Sequence, residues 1–401
     1  MSSRPHASAN VLLLLYDNHF DVSARHKATD VLYRSADALG VQFHAGSLAP
    51  ASERPWSAGD REEWLLRTLP NVDARLVVLL DATDAVLFCR AAELAAKWQR
   101  LAGRADNGQG RVLIGVEQQM WPEEQYYWVD GRKIEYPRAE MGHFVFNPRR
   151  AVGPSRGTPF RYINIGLLAG RPRDVQMLLQ CMRRRYAGFP RRCPGGRHSN
   201  GTYEWYSNSP HQTRFGVFGG HWGWEQACFH TYYFEQVNRH LPSTCPELVL
   251  DYRAEVMLNL KKTTDALVLD WSHPRRPRLN ESRIPALSDV RPCVLHANSA
   301  SKAVMPVLQL YWERMARLDP TIHGARAFAS SSTGGVREED VARAVAPWRG
   351  SFVNKTMGPC LIMVQAAGLS EAAARRACNA GPGDLARYSA PPFQADVSRR
   401  P

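Results

Sequence analysis

The chain has 401 residues, 44% hydrophobic and 22% charged, and its 51 Lys and Arg against 38 Asp and Glu give a net charge of +13. This composition excludes wholesale disorder, and at roughly 150 residues per domain the length allows one large domain with an appendage or two to three ordinary ones. No apolar run approaches the ~18 residues of a membrane-crossing helix, and no basic stretch, long apolar segment and small-residue cleavage pattern combine into a signal peptide.

In chain order, Val11 to Tyr16 is a short apolar run closed by Asp17, the form of a buried strand. A helix is predicted within Val22 to Leu39, then Val41-Gln42-Phe43, then an amphipathic helix from Glu62 to Leu69. Leu76 to Leu80 is continuously apolar, as in strands covered on both faces, and stops at Asp81. A helix from about Ala91 to Leu101 leads to a second buried strand, Arg111 to Val116, stopping at Glu117. From Tyr186 to Gly223 the chain is rich in Gly, Pro, Arg, Ser and aromatic residues and reads as long loops. Trp224 to Val237 reads as a helix, Leu248 to Asp251 and Pro292 to His296 as short strands, and Leu308 to Leu318 as a helix. A Ser/Gly linker from Ala329 to Gly335 and two short Ala/Arg-rich helices follow. Strand and helix signals alternating at this spacing predict an α/β domain with a mostly parallel sheet, its ligand site beyond the carboxyl ends of the strands.

A pI near 9.6 points to an anionic partner, whether nucleic acid, a membrane surface or a phosphorylated small molecule. The basic residues cluster at Arg183, Arg184, Arg185, Arg191, Arg192 and Arg197, and again at Arg275, Arg276 and Arg278. Pro and Gly interrupt or flank both segments, which predicts loops and not the helical stripes that enter a DNA groove. The eight cysteines form no C-x-x-C pair and are too dilute to predict a disulfide scaffold. Asn200, Asn280 and Asn354 begin N-x-S/T triplets, and none of these features decides the compartment.

The phosphate loop, the G-x-G-x-x-G turn, H-E-x-x-H and the G-x-S-x-G elbow are all absent. What remains is a set of polar residues at strand ends. In Asp81-Ala-Thr-Asp84 two carboxylates can face one pocket, where hard oxygen ligands suit Mg²⁺ or Mn²⁺ and leave coordination positions for a diphosphate. For an isolated D-x-x-D the alternative is an acidic turn capping the next helix. His296, in Leu295-His-Ala-Asn-Ser-Ala-Ser-Lys302, can complete the metal shell, with Asn298 and Lys302 placed for phosphate oxygens. A single His at a strand end is otherwise an ordinary hydrogen-bonded residue.

The ordered series Trp56-Ser-Ala-Gly-Asp60, Leu-Leu-Asp81-Ala-Thr-Asp84, Glu117 with Trp121-Pro122, Tyr162-Ile-Asn164-Ile-Gly166-Leu-Leu-Ala-Gly170, Glu225-Gln226, Leu250-Asp251 and His296-Ala-Asn298-Ser-Ala-Ser-Lys302 resembles the glycosyltransferase domain of the procollagen lysyl hydroxylases. The resemblance spans roughly residues 10 to 305. It implies an α/β fold of the GT-A type, a UDP-glucose or UDP-galactose donor, Mn²⁺ (or Mg²⁺), and a hydroxyl acceptor such as hydroxylysine or glycosylated hydroxylysine. Carried over position by position, Asp81, Asp84 and His296 hold the metal, Asp81 also lying at the donor. Trp56 stacks at the uracil, Asn298 and Lys302 meet the diphosphate, and Glu117, Trp121, Asn164 and Glu225 surround sugar and acceptor, Glu225 as the candidate base and Asn164 beside it. The expected organisation is one transferase domain over residues 1–305, with a basic and aromatic insert at about 186–223, and a small, mainly helical C-terminal extension over 306–401. The stretch after Val304 is too short for an eight-stranded jelly roll, so the hydroxylase part is not expected.

Three departures stand out. A single carboxylate, Glu225, precedes Gln226 where the family has an acidic pair. Asn164-Ile165-Gly166-Leu167 is bulkier than the family's run, and Ala297 and Ser299 replace glycines, predicting backbone strain at that turn. Two other readings compete with transfer. One is a basic nucleic-acid-binding module, motivated by the arginines and by Tyr203, Trp205, Tyr206, Trp222 and Trp224, although nucleic acid is the less favoured partner. The other is a protein that binds nucleotide sugar without turnover. The family resemblance implies the lumen of the endoplasmic reticulum, whereas the missing signal pattern leaves the cytoplasm open.

Overall fold

A computed structural model of the protein describes residues 10–17, 27–48, 59–103, 109–118, 125–129, 132–135, 158–160, 162–186, 189, 204–207, 224–237, 241–261, 263, 266–269, 276–280, 284–298, 301, 304–319 and 322. The elements run β1 (Val11–Tyr16), α1 (Lys27–Ala38), β2 (Gln42–Gly46), α2 (Asp60–Thr68), β3 (Leu76–Asp81), β4 (Ala85–Leu87), α3 (Ala91–Ala102) and β5 (Arg111–Glu117). They continue with β6 (Gln125–Val129), β7 (Arg132–Glu135), β8 (Tyr162–Gly170), α4 (Pro172–Arg185), β9 (Glu204–Ser207), α5 (Trp224–Val237), β10 (Glu247–Leu250) and β11 (Met257–Asn259). The last are β12 (Leu267–Val268), β13 (Arg278–Leu279), β14 (Val294–His296) and α6 (Met305–Leu318).

The main sheet has six strands in the order β10-β5-β8-β3-β1-β2. β1 pairs in parallel with β2 and β3, and β10 with β5, whereas β8 runs antiparallel to both of its neighbours. The fold is therefore α/β with a mixed, mostly parallel sheet. Continuous apolar runs serve strands covered on both faces, and all nine residues of β8 are buried. Burial on both faces also hides strand direction, so apolar content does not reveal that β8 is reversed.

Chain order puts the candidate site residues at one end of this sheet. Asp81 is the last residue of β3 and Glu117 the last of β5. A smaller sheet, β11-β14-β4, lies beside them and carries His296 at the end of β14. In its antiparallel part His296 pairs with Ala85, Leu295 with Val86 and Val294 with Leu87, and the Ala297 N–H donates to the carbonyl of Asp84 at 2.7 Å.

Several expectations change. The Tyr186 to Gly223 segment contains β9, which pairs with β6, itself paired with β7, in a separate three-stranded antiparallel sheet. Pairing with a strand almost eighty residues earlier in the chain leaves no local signal in a Gly- and Pro-rich run. Arg183, Arg184 and Arg185 form the last turn of α4 rather than a loop, where cations complement the carboxyl end of the helix dipole. The core also runs past residue 305: Leu308, Tyr311, Trp312 and Met315 of α6 are buried in it, and α6 packs on α1 and β4. The linker and short helices expected after Ala329 lie outside the described residues. Among the described helices none is long and apolar enough to cross a membrane.

The cysteines among the described residues are paired. Cys89 bonds to Cys293 across 204 residues and Cys181 to Cys245 across 64, and Cys228 is disulfide-bonded as well. Cys89 follows β4 and Cys293 precedes β14, so their bond closes one end of the ladder whose other end presents Asp84 and His296. Pairing by neighbouring strands is a tertiary event, which the dilute spacing of the cysteines could not announce. Closing so long a loop restricts the unfolded chain strongly. The double substitution Cys89→Ala with Cys293→Ala is expected to remove about 2–5 kcal/mol of stability, read as a lower urea midpoint with an unchanged far-ultraviolet circular dichroism spectrum before the transition.

Candidate functional site

Asp81, Asp84 and His296 converge, their nearest ligand atoms all lying within 4.8 Å of one another. The His296 Nε2 atom is 3.3 Å from Asp81 Oδ2 and 3.4 Å from Asp84 Oδ1. No helix follows Asp84; β4 does, so the turn is not a helix cap. His296 and Asp84 are buried, whereas the Asp81 side chain is 37% exposed, which leaves the cluster open on one side. Burial disfavours an imidazolium, but the carboxylates of Asp84 and Asp81 outweigh that and push the His296 pKa up to about 10. The charged ring thus holds two carboxylates that otherwise repel.

Neighbouring groups set the orientation of each member. Asn259, on β11, receives the Lys261 backbone N–H on its Oδ1 at 3.1 Å, and its amide lies 3.5 Å from His296 Nδ1. Arg61, at the start of α2, donates to Asp81 Oδ1 at 3.1 Å and to the Ile165 carbonyl at 3.2 Å, while its other nitrogens grip Glu62 at 2.6 and 3.0 Å. Asp81 therefore gives one oxygen to Arg61 and turns the other toward His296. Gly59 enters α2 at φ 82°, a backbone state that glycine adopts without strain.

The register between β5 and β8 shifts abruptly: Ile114 faces Leu168, yet Gly115 faces Asn164, so Ile165, Gly166 and Leu167 bulge out of the ladder. The bulge brings the Gly166 backbone against the imidazole, where a Cβ would stand 2.4 Å from His296 Cε1, closer than real Cβ contacts come. Ile165 and Leu167, the bulky departures, are buried in the hydrophobic core. Positive φ among the described non-glycine residues occurs at Ala254 alone, so the strain expected at Ala297 is absent.

Beside the triad, Glu117 is buried and organises three carboxamides. Its Oε1 accepts from Gln226 at 3.0 Å and its Oε2 from Asn298 at 3.2 Å, and Asn164 also hydrogen-bonds to it. Burial raises the Glu117 pKa despite the opposing charge of Lys261 and these three bonds. Asn164 Oδ1 accepts the Gly166 N–H at 2.9 Å, which links Glu117 to the bulge and the bulge to His296. Glu117 is thus a buried anchor, 1% exposed, and not the open donor contact expected of it. Asn298 Oδ1 is buried without a hydrogen-bond partner. Asp251 accepts backbone N–H bonds from Glu255, Val256 and Met257 and shapes the turn into β11; burial pushes its pKa up to about 6 against those bonds.

The structure brings together Asp81, Asp84, His296, Glu117, Asn164 and Asn298. Trp56, Trp121, Lys302 and the Glu225 side chain lie outside the described residues, although Glu225 belongs to α5. Sequence reasoning missed Arg61, Glu62, Asn259 and His230, and took Gln226 only as part of a motif. Arg61-Glu62, a charged pair next to the quoted Asp60, carried a signal, since both sit in the first turn of a helix and are buried.

No family model matches the chain, and no curated protein matches it. Among solved structures it is similar to a glycosyltransferase involved in the glycosylation of the major capsid of PBCV-1, at 10% identity over 74% of this chain and 98% of that chain, with a TM-score of 0.34. A likeness at that level decides nothing about the reaction, which rests on the site's own chemistry.

His230 of α5 supports the strand that leads into this site: its Nε2 accepts the Ile163 N–H at 3.1 Å, and burial lowers its pKa to about 4. It is neutral when folded and titrates near 6.5 when unfolded, so its contribution is complete above pH 6.5 and is lost as pH falls through about 4. That contribution is on the order of 3 kcal/mol. Thermal melts from pH 7 to 4 are expected to show a steeper loss of stability for the wild type than for His230→Gln, which keeps an acceptor but does not titrate.

Proposed function

We propose that this protein is a metal-dependent glycosyltransferase that moves a hexose from a UDP-sugar, UDP-glucose or UDP-galactose, to a hydroxyl acceptor. The observation that carries the proposal is the convergence of Asp81, Asp84 and His296 at the carboxyl ends of strands in an α/β fold, the position where such folds take their ligands. The donor set fits Mn²⁺ or Mg²⁺: two hard carboxylates and an imidazole whose buried Nε2 has no hydrogen bond of good geometry, open on the side of Asp81. When bound there, the ion neutralises charge that develops on the departing diphosphate.

The chain's own groups divide the remaining work. Arg61 holds Asp81 in place, and Asn259 lies against the Nδ1 side of the His296 ring. Asn298, anchored through its Nδ2 to Glu117, begins the segment that serves the diphosphate. Lys302 follows in the same segment as the point charge for the diphosphate. In an inverting reaction Glu225 takes the acceptor's proton, and in a retaining one no such base is required. The order of motifs supports the GT-A type of fold, the likeness to the procollagen lysyl hydroxylase transferase domain, and hydroxylysine or its glycoside as acceptor. Paired cysteines support an oxidising compartment, in line with a lumenal site. The nucleic-acid reading gains nothing, because Arg185 and Arg276 are engaged by Glu235 and Glu93.

UDP release from UDP-glucose and UDP-galactose in Mn²⁺ is expected for the wild type and is abolished by EDTA. Asp81→Ala and Asp84→Ala are each expected to lose about 100-fold or more in kcat/KM, with melting temperatures recorded alongside. Equal rates in all three proteins would sink the metal assignment, and tight UDP binding without turnover would identify a nucleotide-sugar-binding protein instead.

A further inference from the structure

A cavity of about 880 Å³ opens at the other end of the main sheet, where β1, β3 and β5 begin and β8 ends. From Leu76 in its wall to Asp81 is five strand steps, roughly 17 Å at about 3.3 Å per residue, so it is separate from the triad. One wall is apolar, with Leu69, Val72 and Ala95, and Trp98 of α3 lies among them. The polar part of its lining is strongly basic: Arg75, Arg111, Arg171 and Arg173 against the single carboxylate of Asp174.

The state of these donors shows which are available. Arg111 is bridged to Glu247 at 3.0 Å and Arg171 to Asp174 at 2.5 Å. Arg75 and Arg173 are exposed, and neither guanidinium has a hydrogen bond or ion pair among the described residues. Guanidinium forks match the geometry of oxyanions. The volume falls in the range of small-molecule sites, about 300–1,000 Å³.

We propose that this cavity is a second ligand site, for a small organic anion: a phosphate or sulfate held by Arg75 and Arg173, on an apolar body that lies along the Leu69–Val72–Ala95 wall beside the Trp98 ring. Such a site gives part of the +13 charge a partner that the acidic triad does not supply.

The test is a thermal-shift titration of the full chain in EDTA with phenyl phosphate and phenyl sulfate, set against inorganic phosphate and sodium chloride at matched ionic strength. Phenyl phosphate or phenyl sulfate is expected to raise the melting temperature saturably, by roughly 4 °C at a hundredfold excess over Kd, and the stronger of the two identifies the preferred oxyanion. Inorganic phosphate is expected to act more weakly and sodium chloride not to saturate. Arg75→Gln with Arg173→Gln, two exposed positions, is expected to melt like the wild type without ligand and to bind at least tenfold more weakly. No saturable shift in the wild type beyond that of sodium chloride, or an unchanged response in the double variant, would overturn the proposal. UDP release is a separate readout and does not depend on the result.

Discussion

The buried imidazole of His296 between two carboxylates is the constraint to which the surrounding structure answers. Asp81 and Asp84 stand close enough to repel, and burying either without a partner would cost several kcal/mol. His296 supplies the opposing charge, and its raised pKa measures how strongly the two carboxylates hold it. Placing a ring from residue 296 against a turn at residue 81 requires the β4–β14 ladder, and the Cys89–Cys293 bond pins the far end of that ladder. The same ring requires a glycine at 166, because a Cβ there would enter the imidazole. A proton and a divalent cation are alternative ways to satisfy a cluster of this kind.

Around that cluster the polar groups form a connected system. Arg61 takes the spare oxygen of Asp81 and reaches back to the Ile165 carbonyl in the β8 bulge. The bulge carries Asn164 to Glu117, and Glu117 gathers Gln226 of α5 and Asn298 beyond β14. Four parts of the chain distant in sequence are thereby held in one geometry by a single buried carboxylate. Buried polar networks of this kind are stable when their members are satisfied, and His296 Nε2 and Asn298 Oδ1 are among the buried atoms without a hydrogen bond of good geometry.

The two ends of the main sheet differ in character. The carboxyl end carries the acidic cluster, whereas the amino end is lined by arginines over an apolar wall. Net charge alone concealed this, since +13 is a sum over surfaces of opposite sign. The clustered arginines that first drew notice are partly engaged inside the protein, through Glu235 and Glu93. Arg75 and Arg173, scattered in the sequence, both line the cavity.

Sequence by itself determined the alternation of buried strands and helices, the strand ends at Asp81, Glu117 and His296, and the candidacy of Asp81, Asp84 and His296 as one set. These follow from short-range causes: apolar runs need burial, a carboxylate ends such a run, and carboxylates three residues apart can share a turn. Only the tertiary structure decided that β8 is reversed, that β9 pairs with β6, that Cys89 meets Cys293, and that α6 belongs to the core. It also revealed Arg61, Asn259 and His230, and turned Glu117 from a ligand contact into an anchor. Each of these depends on contacts between residues tens to hundreds of positions apart. The side chain's own chemistry permits many partners for such a contact, and the packing of strands and helices selects one.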